Sequence, residues 1–139
     1  QWDRLLSSGH AVWGYGTDDT HRDTDVGVAW TVVQTTDRTP NAVLAALAAG
    51  RCYVSTGVTI ETIESSARTI TVETADAEAI RLVADHGTVH RTVDAAAATF
   101  NLDRDLRADT NATYVRIECF GAGDQMAWTQ PCFLDTSSG

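Results

Sequence analysis

Two different spacings of apolar residues divide this chain. Up to about residue 50 the apolar positions come as short runs and one helical stripe. From Arg51 onward they recur at every second position. The cleanest case is Tyr114 to Phe120, where Val115, Ile117 and Cys119 fall on one face and Arg116 and Glu118 on the other. The runs 52–55, 59–63, 69–74, 79–84, 88–93, 98–102, 113–120 and 126–134 read as strands. They repeat at roughly ten-residue spacing with turn residues between them, which predicts an antiparallel β-sandwich with Ig-like character. Gly121-Ala122-Gly123-Asp124 is the expected hairpin turn into the last run, and Pro131 marks that run as broken or as an edge.

The first part reads differently. Trp2 to Leu6 looks like the last turns of a helix, stopped by Gly9. Residues 10–16 are expected to form a short buried strand, 17–25 a polar loop, and 28–33 a second strand rich in β-branched residues. Thr39 suits a helix cap, Pro40 the first helical position and Gly50 the C-terminal end. Val43, Leu44 and Leu47 lie on one face between them. The expected division is therefore 1–54 and 55–139, the second part being a sandwich with a core of its own.

Length, charge and cysteine usage narrow the function classes. At 139 residues with 43% hydrophobic content, the chain has about one domain's worth of core. Its net charge of −9 would repel a nucleic-acid backbone, so no duplex nucleic acid is expected as partner. A metal site acting on one small phosphate ester stays open, because a bound cation dominates its local field. All basic residues are Arg and none is Lys. A high-GC genome explains the missing Lys, whereas the acid excess favours a salt-adapted, halophilic source. Cys52, Cys119 and Cys132 are odd in number and form no C-x-x-C, which argues against a zinc knuckle or a disulfide framework. Each cysteine sits in an apolar run and reads as a buried thiol, which points to a reducing, cytoplasmic setting, and with no apolar stretch of about 18 residues no membrane partner is expected.

The chemistry-bearing residues concentrate in Gly14-Tyr15-Gly16-Thr17-Asp18-Asp19-Thr20-His21. If the chain stays extended there, Asp19 and His21 point the same way and offer an oxygen and a nitrogen to one cation. Two ligands are half of a catalytic metal site. The plain alternative is that Asp18, Asp19, Asp23 and Asp25 make an acidic surface loop. An EF-hand does not fit, since Gly27 is misplaced and the terminal Glu is lacking. Elsewhere Trp128 reads as a sandwich aromatic, Ser55-Thr56-Gly57 as either an anion-binding turn or a plain tight turn, and His86 and His90 as solvated residues flanking a turn.

Three stretches together resemble the C-terminal portion of metal-dependent phosphoesterases of the PHP (polymerase and histidinol phosphatase) superfamily. Gly16-Thr17-Asp18-Asp19-Thr20-His21-Arg22 is similar to the family's last metal-binding motif, an Asp-x-His. Residues 44–57, ending Gly50-Arg51-Cys52-Tyr53-Val54-Ser55-Thr56-Gly57, resemble the helix and turn that follow it. Ala127-Trp128-Thr129-Gln130-Pro131 resembles a motif near the end of an appended sandwich. The resemblance implies that 1–54 holds the last strand-loop-helix elements of a PHP (β/α)7-type barrel. It implies Asp19 and His21 as metal ligands, Asp18 as an acceptor that orients a ligand imidazole, and Arg22 as a contact to substrate phosphate. It also implies a di- or trinuclear Mn, Fe or Zn site that makes hydroxide from water and hydrolyses a small phosphate ester or nucleotide.

The departure from the family is equally informative. No His-x-His occurs, and His10, His86 and His90 are scattered. By the resemblance, the rest of the barrel lies upstream and is the partner of this chain, which is inactive alone. Without it, Val12, Trp13 and Trp30 lack packing partners, which predicts an exposed apolar patch or self-association. The competing reading is a non-catalytic β-sandwich that binds carbohydrate or a protein. Such a module has no need for an Asp-x-His loop followed by a helix.

Overall fold

In a computed structural model, which describes residues 1–134, the chain is mainly β. The final residues of the expected sandwich part, 135–139, lie outside the described residues. Among the described residues ten strands form: β1 (Trp30–Val33), β2 (Cys52–Ser55), β3 (Ile60–Ser65), β4 (Thr69–Thr74), β5 (Ala79–Ala84), β6 (Thr88–Val93), β7 (Ala97–Asn101), β8 (Tyr114–Phe120), β9 (Met126–Thr129) and β10 (Cys132–Phe133). Helices α1 (Trp2–Ser7), α2 (Pro40–Ala48) and α3 (Leu102–Asp105) join them. No helix among the described residues is long and apolar enough to cross a membrane.

Every strand pair is antiparallel. The larger sheet runs β1-β2-β9-β8-β5-β6, with β10 also on β8, and the smaller runs β3-β4-β7. The two sheets close on one core. Ile70, Val72 and Phe100 come from the smaller sheet and Ile80, Leu82, Ile117 and Cys119 from the larger. The alternation of β8 thus has its physical reason: Val115, Ile117 and Cys119 face this core.

The opposite side of the larger sheet is covered too. Arg116 lies on it, yet its side chain is only 6% exposed because α1 lies over it. Arg116 Nε and Nη2 donate to the two carboxylate oxygens of Asp3 at 2.8 and 2.9 Å, and Nη1 donates to Glu118 at 2.7 Å. The Tyr114 hydroxyl also donates to Asp3, and the guanidinium stands 5.4 Å from the Trp2 ring centre. Leu6 and Tyr114 are fully buried beside this network. An outward-facing charge pair became a buried one because an amphipathic helix covers it.

Two expectations need correction. Residues 10–16 join no sheet, and Ala11 and Val12 are exposed rather than buried. Side chains replace strand pairing there. Gln130 accepts from the Gly14 amide and donates to its carbonyl, while the Thr31 hydroxyl does the same for Gly16. The two glycines are required. A Cβ on Gly14 would meet the Trp2 ring at 2.9 Å, and one on Gly16 would meet Val54 at 2.3 Å. The run 126–134 is also not one strand. It breaks at Gln130-Pro131 into β9 and β10, which both pair with β8.

The larger sheet passes without interruption through residue 54. Tyr53, Val54 and Ser55 of β2 pair with Thr129, Trp128 and Ala127 of β9, and β1 continues the sheet beyond β2. The helix at 39–50 forms as α2, with Thr39 Oγ1 accepting the Ala42 amide and Pro40 in the first turn.

Candidate functional site

The loop between residues 17 and 29 carries all four candidate site residues, and two carboxylates fold it. Asp18 accepts the amides of Gly27 at 2.9 Å, Val28 at 2.7 Å and Ala29 at 2.8 Å. Gly27 has φ +84°, a conformation open to glycine, which lets the chain turn its amides back toward that carboxylate. These amides, Ala29 first and then Gly27 and Val28, hold the Asp18 carboxyl below its ordinary range. Asp25 closes the other side, accepting the amides of His21 at 3.1 Å and Arg22 at 2.9 Å. A 3₁₀ turn at Asp23–Asp25 lies between the two clamps.

Asp19 and His21 sit at the tip. The extended backbone assumed for them does not persist, because Asp19 has φ +50°. Asp tolerates this left-handed conformation better than most residues. The kink brings the His21 Nδ1 to 2.6 Å from the Asp19 carbonyl oxygen. A carbonyl only accepts, so Nδ1 is the donor in this bond and Nε2 is the ring nitrogen left outside it. That is the arrangement by which proteins orient a metal-binding imidazole. The Asp19 carboxylate has no hydrogen-bond partner among the described residues, and both side chains are exposed.

Of the other two candidates, Asp18 makes other bonds than the resemblance implies, and Arg22 keeps an exposed side chain. Asp18 spends both oxygens on backbone amides, and the Asp19 carbonyl, not Asp18, orients the imidazole. Arg22 is exposed, and its guanidinium makes no ion pair among the described residues. Asp25 is a loop-forming residue that the sequence presents only as one more acid. Its sole signal is the spacing of three residues to Arg22, typical of a capping carboxylate. Among the described residues, no group of three or more His, Cys, Asp or Glu side chains converges to hold a metal.

The apolar surroundings are unevenly covered. Val26, Val28 and Trp30 are 67, 55 and 40% exposed, and Val12 is exposed as well. Trp13 is not free. Its indole lies on Gly50, donates to the Ala48 carbonyl at 3.1 Å and meets the Phe133 ring at 5.9 Å.

Elsewhere, His90 is not solvated as expected. Its side chain is buried, its Nδ1 accepts the Arg107 amide at 3.2 Å, and its Nε2 lies 3.1 Å from Asp85, off line for a hydrogen bond. Cys52 and Cys119 are buried thiols, pushed upward in pKa by that burial, Cys119 to about 12. Comparison of the chain with protein-family models, curated proteins and solved structures found no match.

Proposed function

We propose that this chain is the C-terminal part of a metal-dependent phosphoesterase and that its 17–29 loop supplies two ligands, Asp19 and His21, to a site completed by upstream residues. One observation carries the reading. The His21 imidazole is held through Nδ1 on the Asp19 carbonyl, and the Asp19 carboxylate has no hydrogen-bond partner among the described residues. A merely solvated histidine has no need of that bond. The donor set, one imidazole nitrogen and one carboxylate oxygen, fits Mn, Fe or Zn. Such ions, when bound, lower the pKa of water and neutralise phosphate oxygens.

What the chain's own residues contribute is position. Asp18 and Asp25 fix the loop so that the two donors are presented on a shaped turn rather than a loose one. Arg22, exposed one residue beyond His21, is placed to meet a phosphate oxygen. In this reading 1–54 represents the closing elements of a PHP-type barrel, and the exposed Val26, Val28 and Trp30 face the missing remainder. Three thiols without a disulfide fit a reducing, cytoplasmic setting.

The test is made on the longer protein encoded by the same gene, using a generic phosphodiester with added manganese. Activity that falls at least a hundredfold in both Asp19→Asn and His21→Ala, with metal content reduced, supports the reading. Undiminished activity and metal content in both variants would refute it.

A further inference from the structure

The larger sheet has a six-strand path and the smaller only three strands, so one side of the sandwich stays open. Ile63 shows the consequence. It pairs directly with Val72, so both point toward the larger sheet, yet Val72 is fully buried and Ile63 is 42% exposed. Between β3 and the facing strands β1 and β2 lies a cavity of about 650 Å³, in the size range of small-molecule sites. Val32, Tyr53, Ile63, Ile70 and Ile117 line it.

Three polar side chains deep along this cavity, Tyr53, Thr129 and Gln130, already have partners. The Tyr53 hydroxyl accepts the Ile60 amide at 3.2 Å. The Thr129 hydroxyl accepts from Ile117 and donates to the Gln130 carbonyl. The Gln130 amide is spent on Gly14 and Cys52. A sugar or a peptide backbone would find few free partners here, whereas an apolar body needs none.

Charge at the opening then selects the head group. Arg51 lines the cavity, is exposed and makes no ion pair among the described residues. The other arginine along the cavity, Arg116, is committed to Asp3 and Glu118. Glu64 pairs with Thr71 on the row that faces away from the core, while Glu61 occupies the register shift of β3 at the rim. One unpaired cation with Glu61 and Glu64 also along the cavity suits a single negative charge better than a phosphate dianion.

We propose that the open side of the sandwich binds a small apolar molecule bearing one carboxylate, its body against Ile63, Val32 and Tyr53 and its carboxylate at Arg51. This site is separate from the Asp19–His21 loop and does not depend on the metal reading.

Decanoate and decanol are the probes, titrated into the isotope-labelled chain and followed by amide chemical shifts. Saturable decanoate binding is expected, with shifts centred on Val32, Tyr53 and Ile63. Ile63→Trp, which fills the cavity from a half-exposed position, should weaken decanoate at least tenfold. Arg51→Gln should weaken decanoate about tenfold and leave decanol unchanged. Shifts centred on Val26 to Trp30, or decanoate binding unaltered in Ile63→Trp, would place the ligand on another apolar surface and overturn the proposal. Equal affinity of both probes in the unaltered chain would overturn the carboxylate assignment.

Discussion

Replacing Asp3 by Ala should destabilise the whole chain, not just its first turn. The substitution removes both carboxylate acceptors from Arg116, at 2.8 and 2.9 Å, and leaves a guanidinium whose side chain is 6% exposed. Breaking a buried ion pair from one side typically costs about 3–5 kcal/mol. Here Glu118 keeps its 2.7 Å bond to Arg116, and Asp3 is itself 22% exposed, so the low end applies. The expected loss is about 2–3 kcal/mol, a large share of the roughly 5–15 kcal/mol that holds a domain together. In urea, with a slope of about 1–3 kcal/mol per molar, the midpoint should fall by about 1–2 M.

The assay is equilibrium urea unfolding at neutral pH. It is followed by tryptophan fluorescence, which reports on Trp2, Trp13, Trp30 and Trp128, and by far-ultraviolet circular dichroism for the sheets. Both probes should move together, because α1 and β8 share the network. The triple variant Asp3→Leu, Arg116→Met and Glu118→Gln should recover part of the loss, since no charge of the network is then left buried. Burial works to raise the Asp3 pKa, but the hydrogen bonds from Arg116 and Tyr114 outweigh it and the net shift is downward. The contribution of Asp3 is therefore full above the ordinary carboxylate value of 3.8 and is lost as pH falls through the lowered folded-state pKa. A midpoint shift below about 0.2 M, or loss of the fluorescence transition with the sheet transition untouched, would refute the reasoning. The second result would mean that residues 1–54 unfold on their own.

Three further outcomes are expected. Asp18→Ala should abolish hydrogen-exchange protection at Gly27, Val28 and Ala29 while the global unfolding midpoint hardly moves, because the clamp is exposed and local. Gly16→Ala should cost about 1–3 kcal/mol by driving a methyl into Val54, and Val54→Ala in the same chain should restore part of it, as read by thermal unfolding. Asp105, held at a pKa of about 2 by Arg104, the Asn101 amide and Arg91, supports folding fully above 3.8 and ceases to do so as pH falls through about 2. Asp105→Asn should therefore lower neutral-pH stability and flatten the acid limb of the stability profile.

The alternating part of the chain was legible because its alternation has a single cause. In β4, β5 and β6 the observed ends coincide with the expected ones, since each strand has one face on the core and turn residues at both ends. The segment 10–16 was not legible. Its apolar run suggests a strand, but its partners are side chains of Thr31 and Gln130, the second of them more than a hundred residues away. Arg116 and Glu118 were assigned to the correct face, and only the docking of α1 shows that this face is buried.

The candidate loop shows the same limit at closer range. Its donors are visible in the sequence as Asp-x-His. The left-handed Asp19, the carbonyl that orients His21 and the three amides on Asp18 are backbone facts that no side-chain pattern encodes. Asp25 looks no different from Asp23 until the turn that places it beside two amides is formed.

The most direct test of the central claim is paramagnetic broadening of amide and imidazole resonances by substoichiometric manganese. The account predicts broadening confined to residues 18–25, strongest at the His21 imidazole, weak in affinity because two ligands alone hold the ion, and absent in His21→Ala. Broadening spread over the acidic surface, or unchanged in His21→Ala, would contradict it and leave the 17–29 loop as a folded acidic turn without a metal role.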